Sequence, residues 1–353
     1  MKKALLIALA LAALAAAGPA GAATYQVAVG EIARPPAGTP PMSTLNQFFP
    51  SRLAIHVGDK VRFTNLGFHT VTYVKGGQPA GILGPDGSKY DVLNDTAGRA
   101  FSFSGLNRLI YNVPAFLPAG GNAINGSKMV SSGVLSGPTP TKPGRATFTF
   151  PKAGTYKLIC LIHGPMMAIN IVVKRASAIV ASPKAVSQLA VGQTAAAWRA
   201  VKALDAGAAP PATTVWAGLG NKGTILAFYP KRLTVKAGTS VRFVLKAPME
   251  IHDMAFGPLD YIDSLMKATD LFPDGPDAKN QASPLMIYGS DPGLASAVYD
   301  GTNHGNGFYA SPLLGAGPGQ VKEFSIAFTK PGTYHYVCLV HGPDMSGDIV
   351  VTA

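Results

Sequence analysis

Cysteine is almost missing from this chain, with two in 353 residues. That excludes a small scaffold held by several disulfides in place of a core. Charge is also scarce, at 14% of residues, and the acidic kind is scarcer, with 18 Asp and Glu against 30 Lys and Arg. An apolar content of 47% excludes disorder driven by low hydrophobicity. Beyond the N-terminus no apolar run reaches the roughly 20 residues that a membrane helix needs. What the chain has in quantity is turn formers, 40 Gly and 29 Pro. That balance suits many short strands joined by tight turns and argues against long helical bundles.

At the N-terminus, Lys2 and Lys3 precede an apolar run from Ala4 to Ala17, and Ala20-Gly21-Ala22 offers small residues for cleavage. A basic end, a short apolar middle and a small-residue exit form the pattern of a secretory leader, expected over residues 1–22. No cysteine follows it, which excludes a lipid anchor at that point. The mature protein is therefore expected in the periplasm or outside the cell, with no integral membrane segment. Its remaining length exceeds what one core usually organises, so two domains are expected. The formal charge of +12 falls by two with the leader. Aromatics are not interleaved with the basic residues, which argues against nucleic acid. A basic surface of this kind steers encounter with an acidic protein partner or an anionic surface.

The chain repeats itself. Phe49-Pro50-Ser51-Arg52-Leu53, followed by Val57-Gly58-Asp59 and Val61-Arg62-Phe63, has a twin in Tyr229-Pro230-Lys231-Arg232-Leu233, followed by Ala237-Gly238-Thr239 and Val241-Arg242-Phe243. Further on, Gly154-Thr155-Tyr156 leads to Cys160-Leu161-Ile162-His163-Gly164-Pro165, and Gly332-Thr333-Tyr334 leads to Cys338-Leu339-Val340-His341-Gly342-Pro343. A period this long means duplicated domains, expected over 23–176 and 214–353. Within each copy, apolar and polar residues alternate. Leu53, Ile55 and Val57 share one face and Arg52, Ala54 and His56 the other, while Phe148 and Phe150 alternate with Thr147 and Thr149. Short alternating strands broken by Gly/Pro turns predict an all-β fold, a Greek-key sandwich or barrel in each copy. Between the copies, in the linker 177–213, Val186, Leu189, Trp198, Val201 and Leu204 sit among alanines over 183–206. This reads as a helix, stopped by Gly207-Ala208-Ala209-Pro210-Pro211, with Trp198 packing it onto a domain.

The chemistry lies in Cys160-x2-His163-x3-Met167 and Cys338-x2-His341-x3-Met345. A thiolate, an imidazole and a thioether on one short loop are soft and borderline donors, a set that suits copper in both of its oxidation states. Each copy supplies a further histidine upstream, His69 in Asn65-Leu66-Gly67-Phe68-His69 and His252 in Met249-Glu250-Ile251-His252. Zinc is less natural, because methionine is a poor zinc ligand. A Cys160–Cys338 disulfide is the other reading, and it requires the two loops to face each other closely.

These residues resemble the blue-copper proteins, the cupredoxins, whose familiar members include plastocyanin and azurin. The match is a Gly-Thr-Tyr strand, then Cys, His and Met on a closing loop, with an upstream His, and it covers most of each copy. The resemblance implies two Greek-key cupredoxin barrels or sandwiches joined by the helical linker, with one type 1 copper ion, cycling between Cu(I) and Cu(II), near one end of each. His69, Cys160, His163 and Met167 would form the first set, and His252, Cys338, His341 and Met345 the second. Met166 competes with Met167, but Asp344 stands at the equivalent place in the second copy and the shared position favours Met167. Where many family members carry Asn after the first histidine, this chain has Thr70 and Asp253, so the surroundings of the two coppers differ. The segments between the first histidine and the cysteine are longer than in compact members and are expected to cover the barrel or form a partner surface.

A metal held by four protein ligands has no open position for substrate. Electron transfer between redox partners is the leading expectation, with His163 and His341 as exits whose imidazole edges are exposed in an apolar patch. Copper storage or delivery uses the same ligands with a readily exchanging metal. A copper oxidoreductase of the nitrite reductase or multicopper oxidase type needs more histidines. No His-x-His pair occurs, no histidine adjoins either cysteine, and only His56, His304 and His335 remain. Alternation puts His335 on the opposite face from Cys338, His56 faces outward with Lys236 as its twin, and His304 lies in a loop.

Overall fold

The computed structural model describes residues 21–76, 81–90, 92–94, 100–268, 282–317 and 320–353. All but the last two residues of the expected leader lie outside the described residues. Strand Lys60–Asn65 shows how the sequence builds the first half. Val61 and Phe63 point into the core while Lys60 and Arg62 face out, as a period of two requires. This strand pairs in parallel with Thr24–Val29 and antiparallel with Gly144–Thr149. Phe48–Phe49 completes that sheet of four. Against it packs a six-stranded sheet in which His69–Tyr73 and Gly154–Cys160 are neighbours, followed by Gly164–Lys174 and, in parallel, Arg52–His56. The chain crosses from one sheet to the other at 57–59, the step that makes a Greek-key sandwich. Val57, expected on the inner face, is exposed because the strand ends at His56 and Val57 opens this turn.

The second half repeats the plan. Thr239–Leu245 pairs in parallel with Thr214–Gly220 and antiparallel with Glu323–Phe328. Gly332–Cys338 pairs with Gly342–Thr352, which takes Arg232–Lys236 in parallel. Each sandwich encloses one aromatic-rich core, and each core holds the cysteine and methionine of its own half: Cys160 and Met167, then Cys338 and Met345.

Three features join the halves. Ser43–Leu45 adds an edge strand to the second half's sheet by pairing with Gly223–Tyr229. The helix spans Pro183–Ala206, with Ser182 capping it by accepting a hydrogen bond from the Ala185 N–H and Pro183 in its first turn. Its inward stripe, with Val186 and Val201 buried and Ala190, Ala197 and Leu204 partly so, follows three- and four-residue spacing. Leu189 falls outside that stripe and is exposed, against expectation. Trp198 and Val201 share a cluster with Ala28, Leu45 and Phe49 of the first half and Leu219 and Ile225 of the second. The third feature is the first half's long insertion. Tyr90, Phe101, Phe103 and Tyr111 pack with Tyr261, Leu285, Phe308, Val337 and Leu339 of the second half. That insertion covers the other half's five-stranded sheet, while Phe116 caps its own half over Ile159 and Leu161.

Candidate metal centres

The closing hairpin brings three of the sequence-predicted ligands into one short stretch. Strand Gly154–Cys160 runs into a turn, and the pairing slips so that Cys160 meets Gly164 across it. His163 thus lies on the turn, and Met167 follows on the returning strand. The upstream histidine arrives by strand adjacency, because His69 opens the strand whose Thr72 and Tyr73 pair with Ile159 and Leu158. The second half does the same with Cys338 opposite Gly342, and with Ala255 and Phe256 paired to Val337 and Tyr336.

The result is two triads, the first buried throughout and the second buried except for a half-buried His341. In the first, His69 Nδ1 and His163 Nδ1 are 3.2 Å apart, and Cys160 Sγ lies 3.4 Å from the latter and 3.9 Å from the former. In the second, His252 Nδ1 and His341 Nδ1 are again 3.2 Å apart, with Cys338 Sγ 3.5 Å from His341. Met167 and Met345 are fully buried, whereas Met166 is 48% exposed and turned away. The sulfurs of Cys160 and Cys338 remain unpaired to each other, so the disulfide reading fails.

Each upstream ring needs a glycine beneath it. A methyl group built on Gly30 would stand 2.5 Å from His69 Nε2, and one on Gly218 2.5 Å from His252 Nε2. Both glycines also hold left-handed backbone, φ +65° and +66°. The residue after each upstream histidine then locks the cysteine loop. The Leu161 N–H donates to Thr70 Oγ1 at 2.7 Å, and the Leu339 N–H to Asp253 Oδ1 at 2.7 Å. The Thr70 N–H points at the Cys160 sulfur, 3.4 Å away.

The electrostatics of the two centres differ. Burial disfavours a thiolate in each, but at Cys160 the imidazoles of His163 and His69 outweigh it and hold the thiol well below its ordinary range. At Cys338 burial is reinforced by the neighbouring Asp253 carboxyl, and the thiol is pushed well above that range. Asp253 itself is pushed up to about 7 by burial, against backbone N–H donors led by Leu339.

The donor chemistry fits copper. His163 Nε2 faces a carboxylate oxygen, and its Nδ1 is turned inward to the Cys160 sulfur. The two Nδ1 atoms lie 3.2 Å apart with the Cys160 sulfur within 3.9 Å of both, so the donors converge on one point. Two imidazoles, a thiol and a buried thioether are the softer donors that copper prefers over hard, oxygen-seeking ions.

The remaining histidines are engaged elsewhere. His335 pairs with Asp348 at 2.9 Å, His56 Nε2 meets the Ala178 carbonyl at 2.8 Å, and His304 stacks on Phe101 with ring centroids 4.4 Å apart. The expectation of solvent-exposed exits does not hold for His163, while His341 is half-buried. His163 is only 8% exposed, because its outer edge is turned toward the second half. There it meets Glu250, whose Oε1 lies 3.6 Å from His163 Nε2 and whose Oε2 lies 3.9 Å from His341 Nε2. Glu250 is a functional candidate that motif reading passed over. The signal was available, since the chain has only three glutamates and this one sits between Met249 and Ile251, two residues before His252.

The architecture is two β-sandwiches, each with a His–Cys–His group that could hold a metal ion, and solved structures similar to parts of the chain include cupredoxins. An oxidized plastocyanin from Dryopteris crassirhizoma is 21% identical, with a TM-score of 0.20 over 39% of this chain and 99% of that one. A purple cupredoxin from Nitrosopumilus maritimus is 16% identical, with a TM-score of 0.22 over 40% of this chain and 100% of its own. Auracyanin B is 21% identical, with a TM-score of 0.23 over 40% of this chain and 87% of its own. No family model and no curated protein matches the chain.

Proposed function

We propose that this protein is an exported two-domain electron carrier with one type 1 copper in each half, bounded at 23–176 and 214–353. The carrying observation is the doubled triad, His69–Cys160–His163 and His252–Cys338–His341, with Met167 and Met345 buried in the same core clusters as the two cysteines. Copper bound there supplies one-electron exchange between Cu(I) and Cu(II). His69 and His252 are held in their glycine niches, and Thr70 and Asp253 fasten the backbone just after each cysteine. Ligands held this firmly change little between oxidation states, which favours fast exchange over release of the metal. Burial of five of the six triad residues limits the approach of water and substrate, which favours a carrier over an oxidoreductase. The scattered positions of His56, His304 and His335 support the same choice. Export is read from the leader pattern at 1–22, and among the described residues no helix is long and apolar enough to cross a membrane. The partner is a redox protein, with an acidic face suited to the basic surface.

Metal analysis and the visible spectrum test this reading. The purified protein should take up two equivalents of copper and show an intense thiolate-to-copper band when oxidised, retained against a mild Cu(I) chelator. Cys160→Ser and Cys338→Ser should each remove one equivalent and part of the band. A colourless protein holding fewer than two equivalents would refute the proposal, and rapid loss of Cu(I) to the chelator would favour storage or delivery.

A further inference from the structure

The loop that carries Glu250 belongs to the second half, yet it is anchored in the first. Met249 is part of the first half's core cluster, and the Asn46 side-chain amide, also from the first half, donates to Glu250 Oε1 at 2.5 Å. The Glu250 side chain is 10% exposed, so little water competes for it. Each of its oxygens addresses a different centre, Oε1 toward His163 Nε2 and Oε2 toward His341 Nε2. Both rings turn Nδ1 to their cysteine sulfurs and present the opposite nitrogen to this one carboxylate. The position has no counterpart in the first half, where Gly67 stands two residues before His69. One side chain therefore serves two centres, by placement and not by repetition.

Building on the copper reading, we infer that Glu250 is the conduit through which the two centres exchange electrons, so that the chain works as one coupled two-site carrier. In that exchange one electron would pass from the reduced centre to the oxidised one, so that oxidation of the one balances reduction of the other. No bond forms or breaks, and the Glu250 carboxylate keeps facing both rings throughout. An outer carboxylate that orients a metal-bound histidine also tunes the metal, and here the tuning is shared. The arrangement explains why the edges that would serve as exits are turned inward: they meet each other's relay instead of a partner.

Two substitutions test this, Glu250→Gln, which keeps shape and removes charge, and Glu250→Ala. The first readout is the midpoint potential in single-centre proteins, Cys160→Ser keeping only the second copper and Cys338→Ser only the first. Glu250→Gln should raise the potential in both, since the anion favouring Cu(II) is lost from each. The second readout is intramolecular relaxation after flash reduction with less than one equivalent of flavin semiquinone, in a Met345→Gln background in which loss of the thioether would distinguish the centres. Relaxation should slow about tenfold or more in Glu250→Ala, the scale on which partners of metal-bound histidines act, with Glu250→Gln in between. A potential that moves in only one single-centre protein, or a relaxation rate unchanged by either substitution, would overturn the conduit. If the parent protein binds fewer than two coppers, the copper reading itself has failed, and the two failures are thereby distinguishable.

Discussion

Gly218→Ala is the sharpest probe of how the second centre is built. A methyl group there would stand 2.5 Å from His252 Nε2 and 2.6 Å from Ala247 Cβ, distances that force something to move. Its backbone sits at φ +66°, where an L side chain costs about 1–2 kcal/mol. Overpacking a filled site adds about 1–3 kcal/mol, giving a total of roughly 2–5 kcal/mol. Gly238→Ala supplies the control, with φ +85° and nothing within 4 Å of the added carbon, so that only the backbone cost of about 1–2 kcal/mol applies. Urea unfolding of the metal-free variants measures the difference, and copper titration reads its consequence. Gly218→Ala should bind one copper instead of two, because His252 is displaced, while Gly238→Ala binds both. Equal destabilisation of the two variants, with both coppers kept, would show that the ring does not depend on the glycine niche.

Trp198→Ala should cost about 3–5 kcal/mol in equilibrium urea unfolding, as removal of a large buried side chain does, and should split one transition into two because the Trp198 cluster joins both halves. A loss below about 1 kcal/mol with a single transition would contradict this. Asp253→Ala should leave the buried Leu339 N–H unpaired at a cost of about 1–3 kcal/mol, and Thr70→Val should do the same to Leu161. Asp253→Asn keeps an acceptor in place and should cost less than Asp253→Ala when the metal-free proteins are compared by the same assay.

Much of this protein is legible in one dimension. The alternation of Val61, Phe63, Phe148 and Phe150, the repeat of Arg-Leu strands and Gly-Thr-Tyr hairpins, and the bounds of the Pro183–Ala206 helix all follow from local periodicity and local stop signals. The Cys-x2-His-x3-Met spacing is local too, and a turn of that length has few ways to arrange its side chains. Leu189 and Val57 depart from their local pattern for the complementary reason, since burial depends on what packs against an element and on where it ends. The exposed exits failed on the same ground. Whether an imidazole edge meets water is decided by the other half of the molecule, and nothing near Cys160 in sequence reports the position of Glu250.

The sequence alone therefore determined the duplicated strands, the helix between them and two sets of soft donors, because each rests on neighbours a few residues apart. Only the tertiary structure decided that the first half's insertion roofs the second, that glycines 30 and 218 seat the upstream rings, and that one carboxylate stands between the two centres. Those are contacts between residues far apart in the chain, and they come into existence only when the two halves pack against each other.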